Sequence, residues 1–344
     1  MSDLRLSVVV PTLNRRDAVL RLLRALGRQS AAPTTYEAIV VVDGSTDGTA
    51  EAVAEHVAPF ALRRVVLTQT GLGAAARNAG ARAAAGEVLL FLDDDMEPTP
   101  DLVATHLERH RSEPMLGVVG SVPIVVAADA PPVVRYRAAG FARKLERLAS
   151  RRDRLIFNDV YAGNFSVRRD TFFTAEGYDE TFRAYGHEDY EFALRLERLG
   201  GRLVFDHAAR ADQYYEKSFR QLAANVESEG STAVLFAIKH PDVLPALALG
   251  KYSRHRLLAR MRIAARAALD RGNTRLRQRI VARVERAEAT ARPGDDAALF
   301  ARYDRALDRL YWAAAERALH ALPHGAPRYR IAIRDVARWI RAAL

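Results

Sequence analysis

Hydrophobic positions in the first half of the chain follow two alternating patterns. Short apolar runs at Leu6 to Val10, Ala38 to Val42, Arg64 to Leu67 and Val88 to Leu92 are separated by amphipathic stretches. Runs that are continuously apolar, with no polar alternate, predict strands covered on both faces. Their alternation with helical patterns predicts an α/β fold, a mostly parallel sheet flanked by helices. The helices are expected over Arg16 to Arg28, Thr46 to Ala58 with Ser45 as N-cap, Gly73 to Ala85 and Asp101 to Arg111. From about Ser218 strand patterns stop. Ala-, Arg- and Leu-rich helical patterns follow, interrupted near Pro241, Gly272, Pro293-Gly294 and Pro323 to Pro327. The expected division is residues 1–217 as the α/β part and 218–344 as a basic, mainly helical part.

Composition narrows the class. The 344 residues contain no cysteine, which removes disulfides and thiolates and leaves a metal only oxygen or imidazole ligands. The apolar runs fall short of the ~18 residues of a spanning helix, and the first residues carry no leader-like pattern, so a cytoplasmic protein is expected. The net charge of +10 suggests a nucleic-acid partner until it is divided along the chain. Residues 251–344 hold 22 Lys+Arg and 9 Asp+Glu, a net of +13, leaving 30 minus 33, or −3, for residues 1–250. Nucleic acid is therefore not expected as a partner. The basic end reads as solvated Arg-rich helix faces, or as contact with an anionic membrane or partner surface. Leu257, Met261 and Ala265 fall on one face of such a helix. The competing arrangements are packing onto the first part of the chain or formation of a homodimer.

Polar residues cluster where the apolar runs end, the place where open α/β sheets bind ligands. Pro11-Thr12-Leu13-Asn14 follows the first run and Asp43-Gly44-Ser45-Thr46-Asp47-Gly48-Thr49 the second. After the fourth come Asp93, Asp94 and Asp95, three carboxylates whose mutual repulsion calls for a cation. Asp93 and Asp95, two apart on extended chain, project to one side and can ligate Mg²⁺ or Mn²⁺ with a diphosphate completing the shell. Upstream, Arg77 sits in a helical stretch from which it can reach a nucleotide. Downstream, Glu188 and Asp189 open an amphipathic helix, either as helix-capping acids or as a general base.

These motifs, in order, resemble the family 2 glycosyltransferases with their GT-A fold over residues 5–218. The residues that carry the resemblance are Val8 to Asn14, Val42 to Thr49, Ala76-Arg77-Asn78-Ala79-Gly80, Gly86-Glu87 before Leu92 to Asp95, Ala162 to Arg169, and Gly186-His187-Glu188-Asp189. The resemblance implies transfer of a sugar from a nucleotide-sugar donor, with inversion and a divalent metal. It implies that Asp43 contacts the base, Arg77 supports the nucleotide, Asp94 holds the ribose, and Asp95 ligates the metal with help from Asp93. It also implies that Asp189 is the general base, Glu188 binds acceptor, and the acceptor is a saccharide or a lipid-linked sugar. Tyr185 to Asp189 is similar to galactosyl- and N-acetylgalactosaminyl-transferases, which points to a UDP-sugar.

The chain departs from the family pattern twice. Many relatives have a pair of acids where Val42-Asp43 stands, and many carry a metal-binding His where Asp212-Gln213 falls. Asp212 then becomes a third candidate metal ligand, with His207 as an alternative. A sugar-nucleotide pyrophosphorylase would need a Gly-rich first loop, and Pro11 to Asn14 has no Gly. A dinucleotide-dependent oxidoreductase would need G-x-G-x-x-G, and Gly71 and Gly73 are followed by Ala74-Ala75-Ala76. A non-catalytic binding or scaffold protein is the remaining alternative.

Overall fold

The computed structural model describes residues 5–68, 72–251, 263, 265–267, 269–270, 272–292 and 295–321. They form two compact units. Of the described residues, the first holds those within 1–129, 137–183 and 188–215, and the second those within 130–136, 184–187 and from 216 onward. The expected linear division at 217/218 has no place for the two short segments that the second unit draws from the N-terminal stretch.

The first unit is built on an eight-stranded sheet in the order β3-β2-β1-β4-β7-β6-β8-β5. The strands are β1 (Leu6–Thr12), β2 (Tyr36–Asp43), β3 (Ala61–Leu67), β4 (Val88–Leu92), β5 (Met96–Pro98), β6 (Leu116–Ser121), β7 (Asn164–Arg168) and β8 (Arg202–Gln213). β1, β2 and β4 are the apolar runs of the sequence and are almost wholly buried. β3 departs from the expectation of a buried strand. It forms the sheet edge, and its side chains alternate between exposed and partly exposed. Pairing is parallel for β1/β2, β2/β3, β1/β4 and β6/β8, and antiparallel for β4/β7, β6/β7 and β5/β8. The antiparallel β7 beside β4 brings a second part of the chain to the end of the acidic strand.

Helices cover the sheet at α1 (Arg16–Leu26), α2 (Thr49–Glu55), α3 (Leu72–Ala83), α4 (Leu102–Arg109), α6 (Arg169–Thr174) and α7 (Glu188–Arg198). α5 (Pro132–Arg151) begins in the second unit and continues in the first. Ala18, Val19, Leu22, Leu23 and Leu26 form the buried stripe of α1 at helical spacing. α2 starts three residues later than expected. Its N-cap is Gly48 in the left-handed region, φ +80°, and Ser45 instead accepts a hydrogen bond from Asn14 N at 2.9 Å. α3 lies close on the sheet because Gly80 has no side chain, and a Cβ there would stand 2.3 Å from Val9 Cγ1.

The second unit is helical. α8 (Phe219–Lys239) opens with a capping box of Ser218 and Gln221. It is followed by α9 (Ala248–Lys251), α10 (Thr274–Thr290) and α11 (Asp296–Ala321). α8 and α11 approach closely at Gly230, where a Cβ would meet Tyr311 O at 2.3 Å. Tyr185, Gly186 and His187 belong to this unit. His187 Nδ1 lies 2.9 Å from Thr232 Oγ1, and Ser228 Oγ donates to Tyr185 O at 2.8 Å. Among the described residues no helix is long and apolar enough to cross a membrane. Of the expected amphipathic face, Leu257 and Met261 lie outside the described residues, and Ala265 is exposed.

Candidate functional site

The ends of β1, β2 and β4 hold the first polar cluster of the first unit. Asn14 takes a left-handed backbone, φ +52°, which turns its side chain back so that its Oδ1 accepts from Thr46 N at 2.8 Å. Asp47 Oδ2 accepts from Arg16 N at 3.2 Å and its Oδ1 from Thr49 N at 3.1 Å. The Pro11 to Asn14 and Gly44 to Gly48 loops are therefore tied to each other, which limits the conformations the chain must lose when a ligand binds. Pro11 is partly exposed on this rim, and Asp43 is buried at the end of β2, 5% exposed.

The three acids after β4 lie in a turn closed by a hydrogen bond from Met96 N to Asp93 O at 3.3 Å. The extended-chain alternation expected to send Asp93 and Asp95 to one side does not apply there. Asp94 and Asp95 share Arg15, at 3.4 and 3.5 Å, whereas Asp93 Oδ1 meets Arg77 Nη2 at 2.8 Å. Thr12 Oγ1 donates to Asp94 Oδ2 at 2.8 Å. Burial pushes the Asp94 carboxyl up to about 7, helped by Asp95 and Asp93 and opposed by Arg15 and Thr12.

Arg77 joins this cluster to a second one. Its Nη1 lies 3.4 Å from Glu188 Oε1. Burial works against its charge, but Asp93 and Glu188 outweigh burial and hold the guanidinium above its usual range. The next residue, Asn78, clamps the turn before α7, donating to Tyr178 O at 2.8 Å and accepting from Tyr178 N at 2.9 Å. Gly177 in that turn is left-handed, φ +64°, and a Cβ there would crowd Asn78 Oδ1 at 2.9 Å.

Asp189 follows in the first turn of α7, its Oδ1 accepting from Tyr190 N at 2.8 Å. Burial raises its carboxyl to about 7 and the Glu188 charge adds to the rise, while Lys144 opposes it. Lys144 comes from α5, its ammonium 4.7 Å from the centre of the Tyr161 ring and 5.9 Å from that of Phe141. Burial lowers Lys144 to about 8 against the pull of Asp189 and Asp159. A carboxylate with a pKa near neutrality in a dry environment is suited to accept a proton at pH 7.

Asp212, expected as a metal ligand, is turned elsewhere, its Oδ1 2.7 Å from Arg210 Nε. Neighbours on a strand face opposite ways, and it is Gln213 whose Nε2 lies 3.2 and 3.3 Å from the Asp95 carboxylate. His207 is an exposed residue of β8 where its register with β6 shifts. Arg15, Lys144 and Tyr161 went unnoticed in the sequence, and of these only Arg15, adjoining Asn14, carried any signal. Gln213 was named as the place of the family's His, but Asp212 was taken as the ligand. A buried network behind the site was also missed. His106 Nδ1 and His110 Nε2 meet Ser166 Oγ at 2.7 and 2.8 Å, and His106 Nε2 meets Asn164 Oδ1 at 3.0 Å. Burial lowers the two imidazoles to about 4 and about 3, so both are neutral and structural.

Among the described residues no group of three or more His, Asp or Glu is arranged to hold a metal ion. Asp93 and Asp95 do offer hard oxygen donors that suit Mg²⁺ or Mn²⁺. There is also room beside them, because a Cβ at Gly163 would fall 2.7 Å from Asp93 Oδ2. The donor chemistry fits a divalent cation whose remaining ligands come from a bound diphosphate.

Comparison with known proteins agrees with this arrangement. Residues 7–173 match the model described as Glycosyl transferase family 2, and residues 148–217 match one described as N-terminal domain of galactosyltransferase. Residues 7–173 belong to the family 2 glycosyltransferases. The chain is 29% identical over 265 residues to validoxylamine A glucosyltransferase of Streptomyces hygroscopicus subsp. limoneus, a match covering 70% of this chain and 58% of the relative. The chain thus spans less than two thirds of that relative's length. Among solved structures it is similar to S. aureus TarS 1-349 in complex with UDP-GlcNAc (17% identity, TM-score 0.51, covering 94% of this chain and 93% of that one). It is also similar to the mannosyltransferase PcManGT of Pyrobaculum calidifontis in complex with GDP-Man and Mn²⁺ (19% identity, TM-score 0.52, covering 98% and 85%). At these identities the likeness is one of fold, and it agrees with a GT-A sheet carrying C-terminal helices.

Proposed function

We propose that the chain transfers a sugar from a nucleotide-sugar, a UDP-sugar in the first instance, to a saccharide or lipid-linked acceptor with inversion at the anomeric carbon. The observation that carries this reading is Arg77, which touches both Asp93 and Glu188 and so joins a donor-side acid cluster to the buried carboxylate pair opening α7. Pro11, Thr12, Asn14 and Asp43 line the nucleotide side, and Asp94, held by Thr12 and Arg15, faces the ribose. Asp93 and Asp95 would hold Mg²⁺ or Mn²⁺ with the donor diphosphate. When bound, the cation supplies charge neutralisation for the departing nucleoside diphosphate.

Glu188 orients the acceptor and Asp189 takes the proton of its hydroxyl. As that oxygen bonds to the anomeric carbon on the face opposite the leaving group, the bond from the anomeric carbon to the diphosphate oxygen breaks, and its electron pair leaves with the nucleoside diphosphate. Lys144 keeps Asp189 ionised between turnovers. The UDP preference is supported by the galactosyltransferase-type match over residues 148–217. The +13 charge of residues 251–344 supports contact with an anionic face of a membrane on its cytoplasmic side, where a lipid-linked acceptor would be met.

A screen of UDP-, GDP- and dTDP-sugars for binding and slow hydrolysis, with Mn²⁺ or with excess chelator, tests the reading. UDP-sugar turnover that needs metal and is lost in Asp95→Ala is expected. Full activity in chelator, or no binding of any donor, would overturn it.

A further inference from the structure

The second unit contains a concavity of about 350 Å³ whose lining includes five arginines, Arg266, Arg283, Arg302, Arg305 and Arg309. The rest of its lining is aliphatic, Ile280, Val284 and Ala306. The lining follows helical spacing. Residues 280, 283 and 284 share one face of α10, and residues 302, 305, 306 and 309 share one face of α11. Two amphipathic faces therefore meet with guanidinium groups around a strip of aliphatic carbon.

Among the described residues these charges are mostly unpaired, and Arg309 has an acidic partner in Asp270, with Nη2 2.8 Å from Oδ1. Among the described residues the other four make no ion pair. The acids on the neighbouring helix surfaces are engaged elsewhere. Glu285 pairs with Arg220 at 2.6 Å and Asp296 with Arg135 at 2.7 Å, while Glu288 accepts from the Tyr303 hydroxyl. Four like charges around one concavity repel, and an anion placed among them removes that repulsion while gaining charge-assisted hydrogen bonds. Arginine forks match the oxygens of phosphate in pairs, and the aliphatic part of the lining suits the organic part of a phosphate ester. Arg266, Arg283, Arg302 and Arg305 are exposed, so the concavity is open to solvent and to a ligand.

We infer that this concavity is a binding site for a phosphate or diphosphate group, carried either by a lipid headgroup or by a soluble phosphate-bearing saccharide. The site lies wholly in the second unit and does not depend on the transfer reaction proposed for the first.

The test uses the full chain in EDTA, so that phosphate cannot be held through a metal at the acids of the first unit. Calorimetric titration with inorganic pyrophosphate is one arm. Co-flotation with phosphatidic-acid vesicles, against neutral phosphatidylcholine vesicles, is the other. Binding in at least one arm is expected, weakened about tenfold or more in Arg283→Gln/Arg305→Gln. Circular dichroism should be unchanged and the thermal melt no lower, since among the described residues neither arginine has an ion-pair partner to lose and their mutual repulsion is relieved. Pyrophosphate binding without flotation assigns a soluble ligand, and arginine-dependent flotation assigns a lipid headgroup. Should the double variant fail to fold, Arg302→Gln alone decides by the same loss. Absence of binding to either probe, or unchanged binding in a folded variant, overturns the inference.

Discussion

Arg77 Nη1 lies 3.4 Å from Glu188 Oε1, although 111 residues separate them in the chain. The same guanidinium is 2.8 Å from Asp93, so one buried cation sets the spacing of the two acid groups assigned to donor and acceptor. Lysine carries the charge but not the fork, and it cannot hold both carboxylates in one geometry. Arg77→Lys is expected to lower kcat/KM by about 10²-fold, as misplacement of reacting groups does. The chain should remain folded by circular dichroism, and near-normal kinetics would refute the bridging role.

Asp189→Asn keeps the shape and the capping ability of the residue while removing its basicity. Transfer should fall by ~10²–10⁴ with donor affinity little changed in a binding titration. The stability effect has a definite sign. The folded-state value of about 7 exceeds the ordinary 3.8, so between pH 4 and pH 7 the unfolded chain has released a proton that the folded chain retains. Stability therefore falls as pH rises through that window. Asn removes this loss, and the variant should melt a few degrees higher than the parent at pH 8, about 2–4 °C per kcal/mol, with the gap closing toward pH 4.

The same carboxyl governs the pH profile. If Asp189 works as a base, kcat declines as pH drops below about 7. Lys144 pulls that value down, and Lys144→Met should displace the acidic limb to higher pH, depressing the rate at pH 7 and restoring it above pH 8. A kcat profile that coincides with the parent's would remove Lys144 from the site.

Gln213 and Asp212 give opposite forecasts. Gln213 touches the Asp95 carboxylate, whereas Asp212 pairs with Arg210 at the surface. Gln213→Ala is expected to weaken metal-dependent donor binding by about tenfold, the worth of a hydrogen bond to a charged group. Asp212→Ala should leave it within about twofold, the usual range for a surface change. A Mn²⁺ titration of donor binding separates the two, and the reverse order would reinstate Asp212 as the ligand.

The contrast between these neighbours marks the limit of what the linear pattern carries. The apolar runs at β1, β2 and β4, the helices between them and the acids at their ends follow from local propensity and periodicity, and those were legible to within about three residues at each end. The turn residues were legible as loops, but which group caps which was not. Ser45 looked like the N-cap of α2, yet it accepts from Asn14 N because the two loops are tied across the sheet.

β7 and β8 escaped detection because both mix polar or charged positions with apolar ones, whereas β4, as short as β7, is apolar throughout. Neither is a continuous apolar run, and each is stabilised by its partners in the sheet. The same holds within the site. Thr12, Asp43, Arg77, the Asp93 to Asp95 cluster, Glu188 and Asp189 stand in motifs that the sequence displays, and so they could be named as candidates. That Arg15 neutralises Asp94, that Arg77 reaches Glu188, that Lys144 faces Asp189 and that Gln213 rather than Asp212 meets Asp95 depended on strand order, pleat and burial. Side-chain charge and local propensity are properties of the chain at each position. Distance, desolvation and the facing of a pleated strand exist only once remote segments are packed together, and at this site they decide which charges meet and what their pKa values become.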